Sequence, residues 1–214
     1  IRVNVGLSIH NPKLPIKESE ELYRIIAHMI ADGSASKGKT PYYANTCSAL
    51  RERFKKDLQI FGDLKIYDRK PRAVELVYFP KTVTDILAHL FDVQFTYPNK
   101  LPKLIFTAKN KFKKVFMQAL FDDEGSISTG LTIGIHNFNI MKEIKLLITS
   151  LGIETSKVMV HPYSHKMDKV YLCIPKSQYK LFQQEICFSH PEKAKKLELA
   201  IRTQNRVQRT RDPN

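Results

Sequence analysis

Apolar positions along this chain follow two periodicities, and their order occurs twice. Over residues 20–31, Leu22, Ile25, Ile26, Met29 and Ile30 recur at three- and four-residue spacing, which predicts a helix with one buried face. Asp32-Gly33-Ser34 closes it, with the glycine placed for a C-terminal cap. A polar stretch then leads to a β-like run over 41–46 and a second helix over 48–61 that stops at Gly62. Strands over 64–67 and 73–79, joined by a basic turn at 68–72, precede a helix over 83–91. After residue 110 the order returns. Helix 111–122 carries Val115, Phe116, Ala119 and Leu120 on one side and ends at Gly125-Ser126. A strand over 131–135, a helix over 140–151 stopped at Gly152, strands over 158–162 and 169–174, and helices over 178–184 and 192–203 follow.

Each half therefore fits αββαββα, although only one of its first two strands is legible. The acids at 32 and 124, and the glycines at 62 and 152, recur at one offset of roughly 90 residues, which argues for a duplicated unit. The expected class is α+β with antiparallel strands: a first unit over 1–95, a linker over 96–109, a second unit over 110–205 and a basic tail over 206–214. Pro98 and Pro102 suit an extended linker. The polar stretch from Arg202, with Arg206, Arg209 and Arg211, is expected to fray.

Charge changes the picture most. Thirty-five Lys and Arg against 21 Asp and Glu leave a formal net charge of +14 and a pI near 9.7. That excess points to a polyanionic partner, nucleic acid before an anionic membrane. With 43% hydrophobic residues the chain can bury a core, so wholesale disorder is excluded. Cys47, Cys173 and Cys187 are odd in number, far apart and form no CxxC, which argues against a disulfide scaffold or a zinc site and fits a reducing interior. No apolar run is long enough to span a bilayer, and no signal peptide is visible.

The chemistry is expected where both first helices end in acid-Gly-Ser. Unpaired carbonyls give a helix C-terminus partial negative charge, so a carboxylate there needs another source of stabilisation, and a divalent cation would supply it. Ala27, Ala31 and Ala119 would let two such helices approach closely and bring Asp32 and Glu124 together. Two carboxylates, water and the backbone carbonyls of Ala31 and Asp123 form an oxygen-rich ligand set suited to Mg²⁺. Metals between such acids can activate water and stabilise a leaving oxygen in phosphodiester cleavage. The bland alternative places each acid in an ordinary solvated Asp-Gly turn.

Residues 116–126, FMQALFDDEGS, resemble the second motif of the LAGLIDADG homing endonucleases, and residues 22–34 resemble a more divergent first motif. Ala27 and Ala119 stand where that family often has glycine, His28 is unusual, and Ile30 replaces an acid. The resemblance implies a single-chain pseudo-dimer: two pseudo-symmetric αββαββα repeats packed through the motif helices, with antiparallel sheets forming a DNA-binding saddle. It implies that Asp32 and Glu124 bind two or three divalent ions, Mg²⁺ for cleavage, with Ca²⁺ supporting binding without cleavage. It further implies polar residues near the scissile phosphates, at Asn45 or Thr46 and at His136 or Asn137, and a basic residue in each repeat, Lys103 and Lys193, polarising the water network.

The implied reading surface takes Ser36, Lys37, Lys39, Tyr42, Tyr43, Lys65, Arg69, Lys70 and Arg72 from the first repeat. From the second it takes Ser126, Ser128, Thr132, His136, His161, Tyr163, His165, Lys166 and Lys169. Lys and Arg would hold phosphates while polar and aromatic groups read base edges. The run KNKFKK at 109–114 is a solvated helix face or a phosphate contact. The expected function is a site-specific, metal-dependent endonuclease cutting both strands of a long, asymmetric double-stranded DNA target. A maturase binding intron RNA and a non-catalytic DNA-binding regulator are the alternatives. The two repeats supply both halves of the site, so a monomer is expected, in a bacterial or archaeal cytoplasm or an organelle. No splicing-domain residues are recognised, which favours an intron-encoded or free-standing protein over an intein.

Overall fold

A computed structural model describes residues 9–70, 74–95, 98–161 and 169–211, with side chains through residue 204. The chain begins with strand β1 (Ile9–His10) and helix α1 (Glu20–Ala31). Ser19 starts α1: its side chain accepts from the Leu22 N–H, and Glu20 and Glu21 sit against the positive helix end. There follow β2 (Gly33–Ser34), β3 (Tyr42–Asn45), α2 (Ser48–Asp57), a 3₁₀ turn (Leu58–Phe61), β4 (Asp63–Leu64), β5 (Tyr67–Arg69), β6 (Glu75–Tyr78) and α3 (Lys81–Phe91). A short helix, α4 (Lys103–Thr107), leads into α5 (Asn110–Glu124). The second half continues with β7 (Gly125–Ile127), β8 (Leu131–Ile135), α6 (Phe138–Ser150), β9 (Met159–His161), β10 (Lys169–Ile174), α7 (Tyr179–Glu185) and α8 (Pro191–Arg211).

Helices α1 and α5 lie at the centre, packed against each other more extensively than any other helix pair among the described residues. Burial of α1 runs almost all round it, from Leu22 through Ile30, because it is covered by α2 on one side and α5 on the other. Ala27 and Ala119, fully buried, keep the two helices close. Tyr23 stacks on Phe112 with ring centroids 4.9 Å apart and closes the far end of the contact.

Two four-stranded antiparallel sheets flank this pair, in the orders β2-β3-β6-β5 and β7-β8-β10-β9. The orders are the same in terms of chain sequence, and the burial alternation over 41–50 is identical to that over 131–140. In each sheet one face meets the helices: Tyr43 and Val77 in the first, Ile133 and Leu172 in the second, all fully buried.

Several expectations are corrected. The strands hidden from sequence are β2 and β7, too short to carry a period of two and continuous with the motif helices. Leu64 pairs with Ile9 of β1 rather than joining the large sheet. The supposed turn residues Asp68 and Arg69 belong to β5, where Asp68 pairs with Lys55 of α2. The helix over 48–61 tightens to 3₁₀ for its last turn. The stretch expected to be an extended linker holds α4, and helix α8 carries the backbone through the expected fraying tail to Arg211.

Candidate active site

The two motif helices end side by side. Gly33 and Gly125 follow the acids, and a Cβ at either would collide with backbone, of Met29 in the first case and Phe121 in the second. The chain can therefore leave each helix directly into β2 or β7 only through glycine. Asp32 and Glu124 stand at these exits, both half-buried. Burial, then Asp123, raises Asp32 to about 6, against the opposing pull of His28, Lys193 and Asn45. Burial, then Asp32 and Asp123, raises Glu124 to about 8. The charged form of each acid is thus disfavoured first by burial and then by its neighbours' negative charge, as expected of carboxylates gathered for a cation or a proton.

Asp123 was expected to lend only a backbone carbonyl. Its side chain is instead fully buried and crosses into the first half. It meets His28 Nδ1 at 2.7 Å, accepts from the Tyr43 hydroxyl at 2.7 Å and from Asn45 Nδ2 at 2.9 Å. Asn45 Nδ2 also lies 3.5 Å from Asp32 Oδ2, while its Oδ1 accepts from the Cys47 N–H at 2.8 Å. Burial alone would push the His28 pKa down, but Asp123, through charge and hydrogen bond, raises it overall. Burial and Asp123 likewise push the Tyr43 hydroxyl up. Tyr43, expected at the DNA surface, therefore belongs to the core.

Lys193, on the first turn of α8, donates to the Asp122 carbonyl at 2.5 Å and lies 3.3 Å from those of Phe121 and Asp123. It caps the negative end of α5. The Asp123 carbonyl is thus already engaged. Burial lowers the Lys193 pKa, with Asp122, Asp123, Asp32 and Glu124 acting against the shift. Its expected partner, Lys103, is exposed at the start of α4, with no contact to Asp32 or Glu124 among the described residues. Lys169 extends over Gly134, and its charge reaches Glu124. Asp122 is taken up structurally, accepting from the Ser189 and His190 N–H groups at 2.9 Å and from the Ser189 hydroxyl. The corresponding first-half residue is the apolar Ile30.

Asn137 caps α6, accepting from the Asn139 and Ile140 N–H groups and donating to the Pro98 carbonyl. Its side chain is committed to that turn, whereas His136 beside it is exposed. Lys37, Lys39, Lys65, Arg69 and Lys70 are exposed and Ser36 is half-buried. Lys70 lies 3.6 Å from Glu75. Ser128, His161 and Lys169 are exposed and Thr132 half-buried on the second half. Arg72, Tyr163, His165 and Lys166 lie outside the described residues. In the lysine run, Lys114 pairs with Glu185 at 2.5 Å and Lys111 lies over the Phe112 ring, as a solvated helix face does.

Among the described residues, no three or more His, Cys, Asp and Glu side chains form a group able to hold a metal ion. Asp32 and Glu124 would hold one only with main-chain, solvent or substrate oxygens completing the shell. Their crowding, with a single half-buried lysine whose ammonium is spent on carbonyls, fits such an ion.

Comparison with solved structures agrees with this architecture. The homing endonuclease I-DmoI in complex with DNA and Ca aligns with a TM-score of 0.56 at 17% identity, over 84% of this chain and 97% of that one. This chain has the LAGLIDADG fold. I-WcaI bound to its DNA recognition sequence shares the fold with a TM-score of 0.51 at 14% identity, covering 78% of this chain and 81% of that one. So does the N-terminal LAGLIDADG domain of DUF199/WhiA, with a TM-score of 0.51 at 12% identity, covering 81% and 86%. I-DmoI has also been solved with DNA and Mn. No family model matches the sequence. A probable translation initiation factor IF-2 of Thermococcus kodakarensis is 27% identical over 94% of this chain, and the match spans 17% of that protein's length. No helix among the described residues is long and apolar enough to cross a membrane.

Proposed function

We propose that the protein is a divalent-metal-dependent endonuclease that cuts both strands of an asymmetric double-stranded DNA site. The observation carrying this reading is the acid pair Asp32 and Glu124 at the adjoining ends of α1 and α5, both raised by burial and by neighbouring acids. A regulator that only bound DNA, or a maturase that bound RNA, would have no use for such a pair, since binding polyanions favours positive charge at the contact.

In this reading Asp32 and Glu124 would hold Mg²⁺ with the Ala31 carbonyl, water and phosphate oxygens, and the chemistry supplied there would be activation of a water and neutralisation of charge on the leaving oxygen. Asn45 fixes the Asp32 carboxylate by bridging it to buried Asp123. Lys193 holds the α5 terminus and offsets negative charge there, and Lys169 adds positive charge beside Glu124. The exposed lysines and arginines of both halves hold phosphates, and the sheets read base edges. The match to a one-sixth stretch of an initiation factor favours a segment carried in frame within a host protein, over the intron-encoded or free-standing origin first expected.

The test is incubation with a pool of genomic or randomised duplexes in Mg²⁺, followed by sequencing of the new ends. Discrete breaks at one long motif, reduced roughly 10²-fold or more by Asp32→Asn or Glu124→Gln, are expected. Enrichment of one DNA site without breaks would replace this reading with a regulator. Preference for structured intron RNA over every duplex would replace it with a maturase.

A further inference from the structure

The outer face of the first sheet carries three tyrosines in register. Register places Ser34, Tyr42, Tyr78 and Tyr67 in one row across all four strands, and Ala44, Leu76 and Arg69 in the next. Alternation along the strands puts these rows opposite buried Tyr43 and Val77, and none of the seven residues is buried. Tyr67 and Tyr78 stack at 5.0 Å with ring planes 6° apart, and Tyr42 and Tyr78 lie 5.5 Å apart. Tyr67 is 48% exposed. None of the three hydroxyls is hydrogen-bonded among the described residues. The equivalent row of the second sheet is Ser126, Thr132 and Cys173, and the next row there holds one ring, Tyr171 between Gly134 and Met159, with no ring beside it in register.

Cross-strand aromatic pairs stabilise a sheet by themselves. That accounts for the two ring contacts, Tyr42 with Tyr78 and Tyr78 with Tyr67, but it does not require Ala44 and Leu76 beside them on the outward face of a sheet in a chain with net charge +14. The basic surface selects DNA as the occupant, and Asp32 directly precedes β2, so a duplex seated at the acids runs along this sheet. On base edges in the major groove, the apolar group is the thymine C5 methyl. The row is roughly 10 Å long, two strand spacings, which is close to three base-pair steps.

We infer that Tyr42, Tyr78 and Tyr67 make the first repeat a reader of thymine methyl groups, selecting about three consecutive A·T pairs in one half-site only. The inference rests on the DNA-cutting reading above and adds the sequence class of one half of the target.

The test uses the whole chain. Randomised duplexes are selected in Ca²⁺, and each thymine of the recovered site is then replaced by deoxyuridine, which removes only the methyl group. A short thymine-rich block in one half is expected, with binding weakened about fourfold per methyl removed, the effect of one buried methyl group. Tyr67→Ser and Tyr78→Ser should bind more weakly and lose the response to deoxyuridine, whereas Tyr78→Phe, which keeps the ring, should retain it. A discrete site whose binding ignores deoxyuridine throughout, or whose response survives both serine variants, overturns this inference alone. A protein that enriches no duplex overturns the DNA-cutting reading as well.

Discussion

Glu124 shows how much a residue's chemistry depends on what the fold brings to it. In sequence it is one acid before a glycine. In the structure, burial and the charges of Asp32 and Asp123 hold its carboxyl near 8. A folded-state value above the unfolded one means the folded protein binds the extra proton. This contribution to stability is therefore present at low pH and is lost as pH rises from the ordinary glutamate range through about 8. In chelator, the melting temperature of the wild type should fall relative to Glu124→Gln as pH rises from about 5 to about 9. Millimolar Mg²⁺ should close that gap by replacing the proton. Parallel melting curves for the two proteins, with or without the ion, would contradict the site described here. Asp123 makes the same point in reverse. Nothing local distinguishes it from Asp122, yet Asp122 ties down the entry to α8 while Asp123 crosses to His28, Tyr43 and Asn45.

Between elements, the α1–α5 contact combines close apolar packing with one buried polar crossing. By the repeat offset His28 corresponds to Leu120, and Asp123 to Ala31, so each polar partner faces an apolar residue in the symmetry-related place. Removing His28 leaves the Asp123 carboxylate buried with only the neutral Tyr43 hydroxyl and Asn45 amide as partners. His28→Leu should therefore destabilise the fold by about 3–5 kcal/mol in denaturant titration. His28→Leu combined with Asp123→Ala, which removes both charged partners but leaves the buried Tyr43 hydroxyl without its acceptor, should recover part of that loss. Additive losses in the double variant would mean that the pair is not coupled. The same double variant should still lower cleavage, because Asn45 loses the anchor that holds it beside Asp32. Motif helices and most helix spans were legible from periodicity, while the order of the strands in each sheet came only from the structure. The short strands β2 and β7, the β1–β4 pair and the placement of β5 were not legible either, because two- and three-residue strands are specified by their partners and not by their own pattern.

At the scale of the whole molecule, both acids and both sheets come from one chain, and the two halves are unequal. Lys193 closes the end of α5, while Lys103 is exposed at the start of α4. Asn45 faces Asp32, while its counterpart Ile135 offers no donor. A monomer is expected, and sedimentation should give one species of 24.7 kDa across micromolar concentrations, bound to DNA one to one. A concentration-dependent dimer would place part of the site elsewhere. Sequence alone determined the duplication, the basic character, the two motif helices and the candidacy of Asp32 and Glu124, because periodicity, composition and a helix-ending acid-Gly-Ser are local properties. Only the tertiary structure decided that Tyr43 and Asp123 turn inward, that Lys103 stands apart from the acids, that Lys169 reaches Glu124, and that three tyrosines align on one sheet face. Those outcomes depend on strand register and on which helix ends meet. They are fixed by contacts between residues far apart in the chain, for which the local pattern carries no signal.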